Sequence, residues 1–130
     1  MPTITSLNAR RIINSRGAWT IEATLSSSDG AVFTASVPEG ASRGVHEAVS
    51  IEPERAIEMI AGEMNEALRG VEAGDQRGFD TRLAELDGTD TKERLGANSV
   101  LAASLCYARL SADSAGQELW QYVRDLTAVP

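Results

Sequence analysis

The sequence lacks much of the chemistry on which many enzymes and binding proteins depend. It contains one cysteine, Cys106, one histidine, His46, and one lysine, Lys92. A single cysteine excludes an internal disulfide and a cysteine zinc cluster, and a single histidine excludes a two-histidine metal site. Lys and Arg form no cluster, and the formal net charge is −7. These features argue against nucleic acid binding, which needs concentrated positive charge.

Long apolar runs are also missing. No run approaches the ~20 apolar residues of a membrane span, and Met1-Pro2-Thr3 lacks the basic and then apolar layout of a signal peptide. We therefore expect a cytoplasmic protein with no membrane partner. The 130 residues suit one compact domain with one core. They are too few for a (β/α)₈ barrel, which typically needs about 250 residues.

The first third of the chain predicts β-strands. Residues 19–26 alternate between apolar and polar side chains, beginning with Trp19, and this period of two is typical of a half-buried strand. Ser28-Asp29-Gly30 supplies turn chemistry, and residues 32–37 follow as the return strand of a hairpin. Residues 4–13 predict an earlier strand with a less regular alternation.

The remainder predicts helices. Pro53 suits a first helical turn, and the apolar spacing behind it predicts a helix that reaches Leu68. Asp75 is placed to cap a second helix, a third runs from about 97 to 110, and a short fourth follows Gly116. Strands first and helices afterwards predict an α+β fold, a three-stranded antiparallel sheet followed by a helical layer.

Candidate functional residues are few. Cys106 lies in an apolar helical pattern, which favours a buried and inert thiol. His46 could act as a general base or be a structural or surface histidine. The segment Gly40-Ala41-Ser42-Arg43-Gly44 has two glycines that permit close approach to a ligand and a serine that offers hard oxygen ligands. Its composition is equally compatible with a mobile surface loop.

Four segments, in this order, resemble the enolase family. Residues 9–17 (ARRIINSRG) and 20–22 (TIE) resemble the family's opening, in which a DSRG tetrapeptide and then T-V-E lead into the second strand. Residues 37–48 (VPEGASRGVHEA) are similar to the mobile active-site loop, VPSGASTGxxEA. Residues 86–101, which contain LDGT and LGANSVL, are similar to the LDGT…LGANAIL signature. The resemblance spans nearly the whole chain and identifies residues 1–130 as a divergent N-terminal capping domain, whose C-terminal (β/α)₈-type barrel is absent from this chain.

This resemblance implies a reaction, the Mg²⁺-dependent reversible dehydration of 2-phosphoglycerate to phosphoenolpyruvate in glycolysis. The family's lysine base and most Mg²⁺ ligands lie in the barrel, so the chain alone is expected to be inactive and to hold no catalytic residue. Its implied contribution is the loop that covers the active site, in which Ser42 ligates the second Mg²⁺. That loop comprises Gly40, Ala41, Ser42, Arg43, Gly44 and His46.

The resemblance also implies assembly. Enolases are commonly dimers, and the arginine of DSRG and the glutamate of T-V-E form ion pairs with the partner subunit. Arg16 and Glu22 occupy these positions here. They are therefore expected at the interface of a homodimer when the protein is full length.

Departures from the family pattern keep other functions open. Asn14 replaces Asp, Ala18-Trp19 replaces Asn-Pro, and in the loop Glu39 replaces Ser and Arg43 replaces Thr. A Gly-, Asp- and Lys-rich segment that usually follows the loop is missing. One alternative is a stand-alone, non-catalytic binding module derived from an enolase. Another is a member of the wider enolase superfamily with a different substrate, although the LDGT and GAN segments favour a true enolase.

Overall fold

The computed structural model describes residues 1–37 and 48–128. Within them, three strands form an antiparallel sheet in the order β1-β2-β3, and the helices follow. This confirms the predicted α+β fold, a three-stranded antiparallel sheet followed by a helical layer. The strands are β1 (Ile4–Ile13), β2 (Trp19–Ser27) and β3 (Val32–Ser36), and the helices are α1 (Pro53–Met59), α2 (Asn65–Leu68), α3 (Gln76–Asp87), α4 (Ala97–Ser114) and α5 (Leu119–Thr127).

The sheet buries one face, as the period-two alternation predicts. Leu7 pairs with Leu25 across β1 and β2, and both side chains are fully buried together with Ile21. Trp19 departs from this pattern, since half of its surface is exposed. The guanidinium of Arg11 lies over its ring, 4.5 Å from the centroid.

The first helical segment contains an irregular turn. A π-helical stretch, Ile60–Met64, joins α1 to α2, and the backbone stays helical on both sides of it. Ile60, Met64 and Leu68 are buried as their spacing predicts, whereas Ile57 is only partly buried. The segment therefore packs along the sheet as one continuous helix.

The later helices complete the core. Asp75 caps α3 as predicted, since its carboxylate accepts a hydrogen bond from the Gly78 backbone N–H at 3.0 Å. Helix α4 continues to Ser114, beyond the predicted end at 110, because its residues remain buried through Ala112. Cys106 is buried on α4, and burial raises its pKa to about 12. The thiol therefore stays protonated at neutral pH, which makes it inert as predicted.

Helix α5 packs on the core through fewer residues than its apolar content suggests. Tyr122 is buried against Ala108 and Ala112 of α4, whereas Trp120 and Val123 are exposed. Among the helices of the described residues, none combines the length and the apolar character that crossing a membrane requires.

Ser99 gives a first stability prediction. Its hydroxyl is fully buried near the start of α4 and has no hydrogen-bond partner among the described residues. An unsatisfied buried hydroxyl carries a desolvation penalty, so Ser99→Ala is expected to raise the free energy of unfolding by about 1 kcal/mol. Urea denaturation measures the change. Ser104→Ala is the control, because the Ser104 hydroxyl donates to Asp80 at 2.7 Å and its loss should destabilise; a destabilised Ser99→Ala would contradict the prediction.

Candidate functional site

The candidate site is the framework that borders residues 38–47, the segment that carries most of the predicted loop. On its N-terminal side, the backbone N–H of Val37 donates to the carbonyl of Ile21 at 3.2 Å. The buried hydroxyl of Thr20 donates to the Val37 carbonyl at 2.7 Å. The chain is therefore fastened to β2 up to the last residue before this segment.

On the C-terminal side, the chain is held by the residues that lead into α4. The N–H of Val49 donates to the Thr91 carbonyl at 2.7 Å, and the Val49 carbonyl accepts from the Ala97 N–H at 2.8 Å. The side chain of Asn98 then holds Ile51. Its carbonyl oxygen accepts from the Ile51 N–H at 3.1 Å, and its amide donates to the Ile51 carbonyl at 3.0 Å. Asn98 thus pairs with Ile51 as a neighbouring strand would.

Gly96 is required at the centre of this attachment. Its φ of 93° lies in a backbone region that residues other than glycine rarely adopt. A Cβ at this position would lie 2.5 Å from Cγ1 of Ile51 and 2.8 Å from Oδ1 of Asn98. The absence of a side chain therefore lets Ile51 and Asn98 approach each other.

The turn after α3 is organised by a buried carboxylate. Oδ1 of Asp87 accepts from the Leu95 N–H at 2.7 Å, and Oδ2 accepts from the Thr89 N–H at 2.9 Å and from the Thr89 hydroxyl. Burial raises the pKa of Asp87, but these hydrogen bonds outweigh it, so the pKa lies below its ordinary value. Asp87 thereby fixes the turn that leads to the residues to which Val49 and Ile51 are hydrogen-bonded.

Arg94 connects this turn to the π-helical stretch. Its guanidinium forms two hydrogen bonds of 2.9 Å with the Glu63 carboxylate and donates to the carbonyls of Leu86 and Asp87. The hydrogen bonds from Arg94 lower the pKa of Glu63 by more than its partial desolvation raises it. The framework is therefore held by two ionised carboxylates.

These two carboxylates predict a loss of stability in acid. Because the pKa values of Asp87 and Glu63 are lowered in the folded state, their contribution is complete above the unfolded values of about 3.9 and 4.3. It is lost as the pH falls through the folded values, where the unfolded state binds more protons. Urea denaturation across this acid range measures the slope of the free energy of unfolding against pH. Asp87→Asn should make the slope shallower, and an unchanged slope would contradict the assignment.

A surface groove lies beside the framework. Arg11, Trp19 and residues 50–54 line it, and the Nε of Arg11 lies 2.9 Å from Oε1 of Glu54. A smaller cavity continues from it past Thr20, Val37 and Asn98. The residues that fasten the chain before and after residues 38–47 therefore lie close together at one side of the sheet.

The predicted loop residues lie outside the described residues. These residues are Gly40, Ala41, Ser42, Arg43, Gly44 and His46, so the Mg²⁺ ligand assigned to Ser42 remains a prediction.

The two predicted interface residues lie on the β1–β2 hairpin. Arg16 is exposed in the turn, where Oδ1 of Asn14 accepts from the N–H groups of Arg16 and Ala18 at 2.9 and 3.0 Å. Glu22 is mostly buried by its neighbours, and its carboxylate accepts from Nε of Arg10 at 3.0 Å. Their contacts with a partner subunit remain predictions.

Sequence reasoning missed the residues that build the framework. The framework depends on four such residues, Gly96, Asn98, Arg94 and Thr91. The signal that could have identified them is their position within and between the LDGT and LGAN motifs. In residues 1–37 and 48–128, no group of three or more His, Cys, Asp or Glu side chains is arranged to hold a metal ion.

A comparison with known families agrees with the fold. The model of the family described as "Enolase, N-terminal domain" matches residues 4–123. The match includes both strands of the hairpin, the segment 38–47 and the residues that fasten it on each side. The chain therefore belongs to the enolase N-terminal domain family.

Proposed function

We propose that this chain is the N-terminal domain of an enolase, a lyase that catalyses the Mg²⁺-dependent reversible dehydration of 2-phosphoglycerate to phosphoenolpyruvate. In this proposal it acts in cytoplasmic glycolysis, and the barrel supplies the base that removes the proton. Residues 38–47 are the part of this domain that helps to cover the active site. The observation that carries the proposal is the family match over residues 4–123.

The framework around residues 38–47 supports this role. Val37 is fastened to β2 and Val49 and Ile51 to the start of α4, so both ends of the segment have fixed positions relative to the core. A segment that contributes a ligand to a reaction must have a defined origin, because positioning errors of about 1 Å reduce catalysis strongly.

Among the described residues, no group of three or more His, Cys, Asp or Glu side chains is arranged to hold a metal ion. By its position in the family's loop motif, Ser42 is the one Mg²⁺ ligand that we assign to this chain, and its hydroxyl is a hard oxygen donor of the type that Mg²⁺ prefers. The remaining ligands belong to the barrel. Bound Mg²⁺ would neutralise negative charge on the substrate carboxylate during proton removal.

The full-length protein is proposed to be a homodimer. Arg16 is exposed in the β1–β2 turn, which supports its assignment to an interface. Glu22 already accepts hydrogen bonds from Arg10 and Ser36 within the chain. We therefore expect Arg16 to contribute more to the contact with a partner subunit than Glu22.

The alternative is a stand-alone, non-catalytic module. The substitutions Glu39 and Arg43 within the segment favour it, since each introduces a charge where the family pattern has a small hydroxyl side chain. The Arg43 cation could instead meet the substrate phosphate. Measuring activity decides between these functions.

The test is the kinetics of Ser42→Ala in the enzyme that contains this domain and its barrel. Loss of a preorganised electrostatic contact typically lowers the rate by about 10²–10³-fold, and we expect a decrease of this size. The free energy of unfolding is expected to change by no more than about 0.5 kcal/mol. Normal turnover of Ser42→Ala at every Mg²⁺ concentration would exclude the assigned role.

Two further variants complete this test. Ser114→Ala changes another serine at the far end of α4 and should leave kcat and KM unchanged. Arg43→Thr restores the family residue, and its Mg²⁺ dependence separates the arginine's contribution from that of the ion. An inactive parent enzyme under all conditions would support the non-catalytic module.

A further inference from the structure

Helix α5 is attached to the domain by an apolar cluster of its own. Tyr122 is buried against Ala108 and Ala112 of α4, and Leu119 and Leu126 are partly buried beside them. None of these residues belongs to the main core, which lies between the sheet and helices α1 to α4. Hydrophobic stabilisation is roughly proportional to the apolar area that is buried. Because both partners on α4 are alanines, the docked α5 gains little of it.

Few hydrogen bonds hold α5 to the other elements. The Tyr122 hydroxyl donates to Oε1 of Gln76 at 3.3 Å, and Nη2 of Arg77 donates to the Leu126 carbonyl at 2.9 Å. Across the described part of the chain, no backbone hydrogen bond joins α5 to another helix or to a strand. The docking of α5 therefore depends on side chains.

The connection between α4 and α5 is closed on each side without help from the docked contact. The Gln117 N–H donates to the Ala112 carbonyl at 2.9 Å, and Gly116 adopts the positive φ that is typical of such a helix end. On the other side, Oε1 of Gln121 accepts from the Glu118 N–H at 2.9 Å. These hydrogen bonds are kept when α5 moves away from α4, so the connection can act as a hinge.

We propose that α5 is a hinged strap, which undocks from α3 and α4 as one unit while the sheet and helices α1 to α4 stay folded. Proteins open in cooperative units, and units with few buried apolar contacts open at a lower free energy than the whole domain. Undocking uncovers Ala108, Ala112 and the buried side chain of Gln76. The strap does not depend on the enolase reaction, so the outcome of the Ser42→Ala experiment leaves it unaffected.

Thiol labelling under native conditions tests the strap with an internal control. Ala112→Cys places a thiol under α5, whereas Cys106 lies in the main core. We expect an aromatic disulfide reagent to label position 112 at least about tenfold faster than Cys106, because position 112 needs only the strap to open. Equal labelling rates at the two positions would overturn the proposal.

Amide hydrogen exchange of the unmodified chain measures the same opening without a new thiol. The amides of residues 122–126 should share one opening free energy that is lower than that of the amides around Cys106 and depends weakly on urea, because little surface is exposed. Protection that declines steadily from Tyr122 to Thr127 would show fraying of the helix end. Protection equal to that of α4 would show global unfolding, and either result contradicts the strap.

Two variants and a control separate strap opening from global unfolding. Tyr122→Phe removes the hydroxyl that donates to Gln76 and should speed exchange in α5 about fivefold. Ile21→Val weakens the main core, where Ile21 is fully buried, and should speed exchange in α4 about fivefold while leaving α5 unchanged. Trp120→Phe, on the exposed side of α5, should change neither. If Ile21→Val sped exchange in α5 as much as in α4, or if Tyr122→Phe left α5 unchanged, the strap would be excluded.

Discussion

Replacing Gly96 with alanine is expected to lower the free energy of unfolding by about 3–5 kcal/mol. Alanine would have to adopt a φ of 93°, and its Cβ would lie 2.5 Å from Cγ1 of Ile51 and 2.8 Å from Oδ1 of Asn98. The clash displaces the Asn98 side chain from both of its hydrogen bonds to Ile51. Backbone strain, overpacking and unsatisfied backbone groups thus act together.

Urea denaturation measures the loss, and Gly62→Ala is its matched control. Gly62 lies in the π-helical stretch, has no positive φ, and has open space where a Cβ would be placed. Alanine there should be neutral or stabilise by about 0.5–1 kcal/mol. Amide hydrogen exchange adds a local measurement, since the Ile51 amide should lose protection in Gly96→Ala. A stable Gly96→Ala with a protected Ile51 amide would show that the attachment does not depend on this glycine.

Truncating Tyr107 to alanine is expected to cost about 3–5 kcal/mol, as for other fully buried aromatic residues. Its ring stacks on Phe79, with centroids 4.0 Å apart and an interplanar angle of 5°. Its hydroxyl donates to the Glu72 carbonyl at 2.6 Å and accepts from the Asp75 N–H at 3.0 Å. The ring therefore joins α3 to α4, and the hydroxyl fixes the turn that begins α3.

Tyr107→Phe separates the two contributions. It keeps the stacked ring and removes only the hydroxyl, so the two backbone groups lose a partner, at a cost of about 1–3 kcal/mol. Guanidinium or urea denaturation of both variants gives the comparison. If Tyr107→Phe lost as much stability as Tyr107→Ala, the hydroxyl would be the main contributor and the stacking would be unimportant.

The LDGT and LGAN motifs build much of the framework around residues 38–47. In the LDGT motif, Asp87 and Thr89 form a turn that is fixed by hydrogen bonds. In the LGAN motif, Gly96 removes a steric obstacle and Asn98 pairs with the backbone of Ile51. These residues hold the chain next to the proposed active-site segment.

The sequence by itself determined the order and type of the elements. Alternation with a period of two specifies the sheet up to Val37, because only a strand places every second side chain on one face. Helical spacing after Pro53 and the cap at Asp75 specify α1 and α3 in the same local way. These signals operate over a few residues, so no knowledge of the fold was needed to recognise them.

Only the tertiary structure decided which distant residues meet. The hydrogen bonds between Asn98 and Ile51 and between Arg94 and Glu63 join positions that are far apart in the chain, and no local periodicity encodes them. The exposure of Trp19 has the same origin. Its position in an alternating strand predicts burial, but an apolar side chain is buried only where another element of the fold covers it, and half of the Trp19 surface stays exposed although Arg11 lies over its ring.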